Sequence, residues 1–134
     1  MRGANVPHLT RLTRRVYANA DPEKVGVTLK QLVTLASLRD RGELPQQSLC
    51  DVLRASQNTV VVWLNELEDA GYITRVRDAD DRRKHNVTIT PEGVKALERG
   101  EVEMRRLEDE VLSPLSADER AQLRRLVAKA LGEP

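Results

Sequence analysis

The chain has 134 residues, 22 Lys and Arg against 21 Asp and Glu, 40 % hydrophobic and 32 % charged residues, and 2 % aromatics with no Phe. That length holds one core of ordinary size, and the composition excludes a low-complexity disordered chain and a membrane protein. With so few aromatics the core has to be built from Leu, Val, Ile and Ala, as in packed helices, which argues against an all-β fold.

The near-zero net charge points to no particular partner, but the charge is segregated: residues 1–30 and 72–90 are net basic, residues 31–71 and 91–134 net acidic. A single cysteine, Cys50, excludes an internal disulfide. The opening MRGANVPHLTRLTRR lacks the apolar stretch of a secretory signal, so a cytoplasmic location is expected.

Leu9, Leu12 and Val16 recur at helical spacing and predict a first helix that stops near Ala20, Asp21 and Pro22. Thr28 is placed to cap a second, carrying Leu29, Leu32, Val33, Leu35 and Leu38 and ended by Gly42. Pro45 reads as an early-turn proline of a short third helix, Gln46 to Leu53, with Leu49, Val52 and Leu53 turned inward. Ser56 caps a fourth, in which Val60, Leu64 and Leu67 form the buried stripe and Gly71 is the stop. The opposite face of that helix carries Gln57, Asn58, Val61, Val62 and Asn65.

After Gly71 the chain changes to YITRVR, a charged run DADDRRK, and HNVTIT, which reads as a β-hairpin with a long charged turn. Thr90 and Pro91 open a fifth helix with an apolar seam of Val94, Leu97, Met104, Leu107 and Val111, ended by Ser113 and Pro114. Ser116 and Glu119 form a capping box for a sixth, with Leu123, Leu126, Val127 and Ala130 on one side and Gly132 at its end. The predicted fold is mainly α with a small β-hairpin, in the order α1-α2-α3-α4-β-β-α5-α6.

A short helix, a break at Arg54 and Ala55, and a second regular helix make a helix-turn-helix, and the hairpin behind it makes a winged one. In GYITRVRDADDRRKHNVTITPEG, Asp81 and Arg83, then five residues to Ile89 and Thr90, then two to Gly93, resemble the wing signature of the MarR (multiple antibiotic resistance regulator) family. The likeness runs in register from Thr28 to about Gly93 and more loosely over the terminal helices.

The resemblance implies one domain over residues 1–134, with a winged helix-turn-helix lobe at 28–93 and dimerisation helices at 1–20 and 91–132. It implies a homodimeric transcriptional regulator, most often a repressor, on a pseudo-palindromic operator in double-stranded DNA, released in many members by a small aromatic or phenolic anion. No membrane partner and no cofactor is expected. The terminal apolar seams agree, because so small a chain cannot cover them alone. The helix starting at Ser56 would enter the major groove, with Ser56 near phosphate and Gln57, Asn58 and Thr59 near base edges. Val61 and Val62 depart from the small polar or basic side chains usual there and leave contact with thymine methyls. In the wing, Arg82, Arg83 and Lys84 form a positive tip, with Arg83 implied in the minor groove and Asp81 holding it. Arg75 of the first wing strand completes the candidate DNA-binding set.

Other readings stay beside these. The Arg82 to Lys84 run also fits a solvated loop. Cys50 fits a small core residue better than a redox sensor, since no cation pattern beside it in sequence would activate the thiol. Trp63 fits either core filling or one wall of an effector crevice, to which Arg11 and Arg15 would bring charge. Those arginines and Arg14 equally fit surface or phosphate contacts. His8 and His85 lack metal-ligand spacing, Asp80 and Asp81 do not read as a catalytic dyad, and neither a nucleophile constellation nor a phosphate loop is present, so an enzyme is not expected. The alternative from another class is a winged-helix protein-protein interaction module without specific DNA binding.

Overall fold

The computed structural model describes residues 2–20 and 27–133. In chain order these form α1 (Val6–Asn19), α2 (Leu29–Arg41), β1 (Leu44–Pro45), α3 (Gln46–Leu53), α4 (Gln57–Asp69), β2 (Ile73–Arg77), β3 (His85–Ile89), α5 (Pro91–Val111) and α6 (Ala117–Leu131). The break expected at Asp21 and Pro22 lies outside the described residues.

The capping chemistry sets the boundaries. Thr28 Oγ1 accepts from the Gln31 amide, and the Gln31 side chain accepts from the Thr28 amide, a capping box that opens α2. Ser116 and Glu119 do the same for α6. At the end of α4 the Tyr72 amide reaches Leu67 O and the Gly71 amide reaches Glu68 O, both at 2.9 Å, with Gly71 at φ +81°. This Schellman ending requires the left-handed conformation that glycine adopts without penalty. Arg54, between α3 and α4, takes that conformation at φ +50° without being glycine.

Two compact units are present, one of residues 1–20 with 104–134, the other of residues 21–103. In the second, Leu32, Leu35 and Leu38 of α2, Leu49 of α3, and Val60, Leu64 and Leu67 of α4 are fully or almost fully buried. Ile73, Val87, Ala96 and Leu97 close the same core from the sheet and α5. Each such Leu, Ile or Val contributes roughly 1.5–3 kcal/mol of burial free energy. Gly100 lets α5 approach, since a Cβ there would stand 2.3 Å from Leu32 Cδ2.

The structure corrects four sequence expectations. The hairpin is the larger part of a three-stranded antiparallel sheet, β1-β3-β2, because Leu44 and Pro45 pair with Val87 and Asn86 on the open edge of β3. Pro45 is therefore an edge-strand residue and the N-cap of α3, a position where its missing N–H costs nothing. Val33 is half-exposed, and Gln31 and Thr34 are buried in its stead, because their side chains bond Glu66 and Lys30 O. Val52 and Leu53 are only half-buried beside fully buried Leu49.

The first unit buries less. Leu107 and Val111 are buried, but Val6, Leu9, Tyr17, Leu126, Val127 and Leu131 are exposed, and α6 contains no buried residue. Arg106 reaches Asn19 O, and Arg120 reaches Asp109 at 2.6 Å, so polar contacts hold part of this unit. No helix among the described residues is long and apolar enough to cross a membrane.

Candidate nucleic-acid interface

Ser56 Oγ accepts from the Thr59 amide at 3.2 Å and lies 2.8 Å from Thr59 Oγ1, so both hydroxyls hold the first turn of α4. Gln57, Asn58 and Thr59 are exposed on that turn. Helical geometry separates the two valines that the sequence placed on one face. Val61 is half-buried and lines a depression with Gln46, Glu68, Arg75 and His85. Val62 is 53 % exposed on the outward side with Asn58.

The wing changes character along its length. Paired residues Ile73 and Ile89, Arg75 and Val87, and Arg77 and His85 share one sheet face, which runs from apolar near the core to cationic near the tip. Arg75 is already engaged on that face: its guanidinium donates to Glu68 Oε1 at 3.0 Å and to Asn65 Oδ1 at 2.5 Å. The pair joins β2 to α4 and holds the Glu68 carboxyl below its ordinary range, the Arg75 hydrogen bond being the main cause.

Asp78 organises the turn at the tip. It accepts from the amides of Asp80 and Asp81 and from the Asn86 side chain at 3.1 Å, and these bonds lower its carboxyl from the usual value. The Asp78 amide donates to Lys84 O and the Lys84 amide to Asp81 O, closing the loop. Asp81 Oδ1 accepts from the Arg83 amide at 3.0 Å and from its Nε at 3.4 Å. The Arg83 side chain is still 92 % exposed, and Arg82 and Lys84 are exposed beside it. The two halves of the candidate interface adjoin, since Gln57 of α4 and Arg83, Lys84 and His85 of the wing line one cleft.

A winged helix-turn-helix with this wing has known relatives. Residues 27–85 match the model of the MarR family. The chain belongs to the MarR family of winged helix-turn-helix transcriptional regulators.

Among individual members the chain is 30 % identical over 109 residues to the regulator PecS of Dickeya dadantii, covering 79 % of this chain and 66 % of PecS. It is 30 % identical over 107 residues to the transcriptional repressor MdtR of Bacillus subtilis, covering 80 % of this chain and 69 % of MdtR. The chain thus spans about two thirds of the length of these relatives. Its fold is similar to that of Bordetella bronchiseptica BpsR, a protein whose DNA binding is regulated by 6-hydroxynicotinic acid, with a TM-score of 0.79 and 27 % identity over 95 % of this chain and 98 % of that one.

In this MarR-family chain Trp63 is half-buried, with Lys30 Nζ 5.5 Å from its ring centroid, a cation–π contact between α2 and α4. Arg11 and Arg15 are exposed on α1, in the other compact unit. Cys50 is half-buried and points its thiol at Gln46 O, 3.7 Å away. His8 bonds Ala4 O, and no group of three or more His, Cys, Asp and Glu able to hold a metal occurs among the described residues. Sequence reasoning missed Asp78 and the neighbours of the cleft, Gln46 and His85. Asp78 carried one signal, an acidic residue opening a loop, which favours bonds to backbone amides two and three residues on.

Proposed function

We infer that the chain is a sequence-specific DNA-binding transcriptional regulator, a repressor acting as a homodimer on a pseudo-palindromic operator, and not an enzyme. The observation that carries this reading is the joining of the exposed first turn of α4 to the cationic wing tip across one cleft. A helix in the major groove and a wing arginine in the adjacent minor groove need those two elements side by side.

The winged lobe is residues 28–93, and the helices at 1–20 and 91–132 form the dimer. Exposed Val6, Leu9, Tyr17, Leu126, Val127 and Leu131 support that assignment, since isologous pairing removes such surface from water. At the DNA, Gln57, Asn58 and Thr59 face base edges, Val62 faces thymine methyls, and Arg82, Arg83 and Lys84 meet backbone and minor groove. Ser56 supports the first turn near phosphate, and Val61, Arg75 and Asp81 act chiefly by positioning α4 and the wing. The protein is cytoplasmic, and a small aromatic or phenolic anion releases it from DNA, with Trp63 of the winged lobe in its binding site. The regulation of BpsR by 6-hydroxynicotinic acid supports this last element.

The test is selection of bound sequences from a random duplex pool at near-physiological salt, with solution mass measured alongside. A twofold-symmetric motif bound by a dimer is the expected result. Weak, motif-free binding that falls steeply with salt would leave only non-specific contact and overturn the reading in favour of an interaction module.

A further inference from the structure

Helix α5 belongs to both compact units: its residues 91–103 lie in the unit of α2, α3, α4 and the sheet, and its residues 104–111 in the other. Ala96 and Leu97 bury α5 in the core of the first of these. At Gly100 the helix rests directly on Leu32 of α2, because no Cβ holds the two apart. One residue on, Glu101 takes both terminal nitrogens of Arg39, with Nη1 2.5 Å from Oε1 and Nη2 3.5 Å from Oε2. Arg39 Nε also donates to Asp40 at 3.2 Å, so the guanidinium is held from two sides. Leu32 and Arg39 are two turns apart on one face of α2, roughly 10 Å along its axis.

We propose that the Arg39–Glu101 pair fixes the angle at which α5 leaves the winged lobe, and through it the spacing of the two recognition helices that a dimer presents to DNA. This rests on the regulator reading above and adds to it two positioning residues, Arg39 and Glu101, that lie outside the DNA-binding surface. A contact at one point, such as Leu32 on Gly100, sets how near two helices come but opposes rotation about that point only weakly. An ion pair anchored two turns further along α2 opposes that rotation, and its two prongs give it a preferred direction. The angle matters because α5 is the covalent path from the lobe to the other unit. A change of angle there is carried to α4 as a displacement, and two half-sites one DNA turn apart tolerate little mismatch. The two side chains are 36 % and 31 % exposed, so their pairing adds little to the stability of the lobe. An ordered two-pronged link of small stabilising value, two residues before α5 passes from one unit to the other, suits a role in orientation.

The experiment uses the full chain and the operator recovered by the selection above, together with duplexes whose two half-sites are moved closer or further apart by single base pairs. Affinity for a duplex with one half-site, which reports on one lobe, is the reference for each protein. Arg39→Glu and Glu101→Arg each set like charges against one another, and the double variant restores an ion pair in reverse order. The single variants change net charge in opposite directions, so a plain charge effect on DNA affinity would weaken one and strengthen the other. The expected result is a loss of about tenfold for both at the native spacing, with a flatter dependence on spacing, and recovery of both properties in the double variant. Should a reversal lower the unfolding midpoint, Glu101→Gln takes its place: it raises the net charge and is still expected to weaken binding at the native spacing. Single variants that move in opposite directions, a double variant no better than either, or a spacing preference unchanged throughout would overturn the positioning role while leaving the regulator reading in place. A wild-type chain that yields no twofold operator, or binds every spacing alike, would overturn both.

Discussion

Thr90 Oγ1 donates a 2.6 Å hydrogen bond to Gly71 O and accepts one of 3.0 Å from the Gly93 amide, so the residue that opens α5 also holds the turn that ends α4. The Thr90 amide adds a bond to Tyr72 O. The recognition helix, the root of the wing and the start of α5 are thereby tied at one point, beside a glycine with no room for a side chain.

That lack of room predicts a severe effect for Gly93→Ala. A Cβ at Gly93 would stand 2.1 Å from Tyr72 O, a backbone atom, and 2.8 Å from Ile89 Cγ1. Backbone must shift to accept it, so a loss of about 3 kcal/mol is expected from denaturant midpoints. Gly100→Ala meets only the Leu32 side chain and should cost less, about 1–2 kcal/mol. The reverse order of the two variants would refute the account.

Arg75 and Arg83 should separate structure from binding. Arg83 is 92 % exposed, so Arg83→Ala should leave stability within about 0.5 kcal/mol and lower the salt slope of DNA binding by about one unit. Arg75 is held by Glu68 and Asn65, so Arg75→Ala should lower stability by up to about 1 kcal/mol and weaken binding with less change of slope. Titration of each variant's affinity against salt decides the matter, and a full unit lost from the Arg75→Ala slope would make it a phosphate contact.

The wing tip should loosen in acid. Asp78 is lowered in the folded state by the Asp80 amide, the Asn86 side chain and the Asp81 amide. Its contribution is therefore present above the ordinary carboxylate range and is lost as pH falls through the depressed folded value. Protection of the Asp80 and Asp81 amides, taken against the exchange of an unstructured chain at the same pH, should fall over that acid range and not near neutrality, and Asp78→Ala should show little protection at any pH. Protection that does not change over that acid range in the unmodified chain would contradict this role.

The Thr28, Gln31 and Glu66 chain should be cooperative. Gln31 is buried, accepts from the Thr28 amide and donates to Glu66 at 2.7 Å, joining the start of α2 to α4. Thr28→Ala should cost about 1 kcal/mol as a lost cap, and Gln31→Leu about 2 kcal/mol because two bonds go together. The double variant should cost less than the sum, and strict additivity in thermal or denaturant unfolding would show the bonds to be independent.

Local signals made much of this legible. The stripe Val60, Leu64 and Leu67, the caps Thr28, Ser56 and Ser116, and the stop at Gly71 are all read from neighbours within four residues, the range over which helices are written. The Asp81 to Arg83 bond was expected from the family resemblance. Strand β1 was not, since Leu44 and Pro45 are too few to show a period and pair only because β3 leaves an edge open far along the chain.

The sequence by itself determined the order and limits of the helices, the hairpin with its basic tip, and the family. Those properties rest on periodicity, capping and a motif of close spacing. Tertiary structure alone decided that Arg75 is held by Glu68, that Val61 and Val62 face different surroundings, and that Gln46, Gln57 and His85 share a cleft with Arg83. Those facts depend on contacts between residues far apart in the chain, which packing selects and no local pattern records.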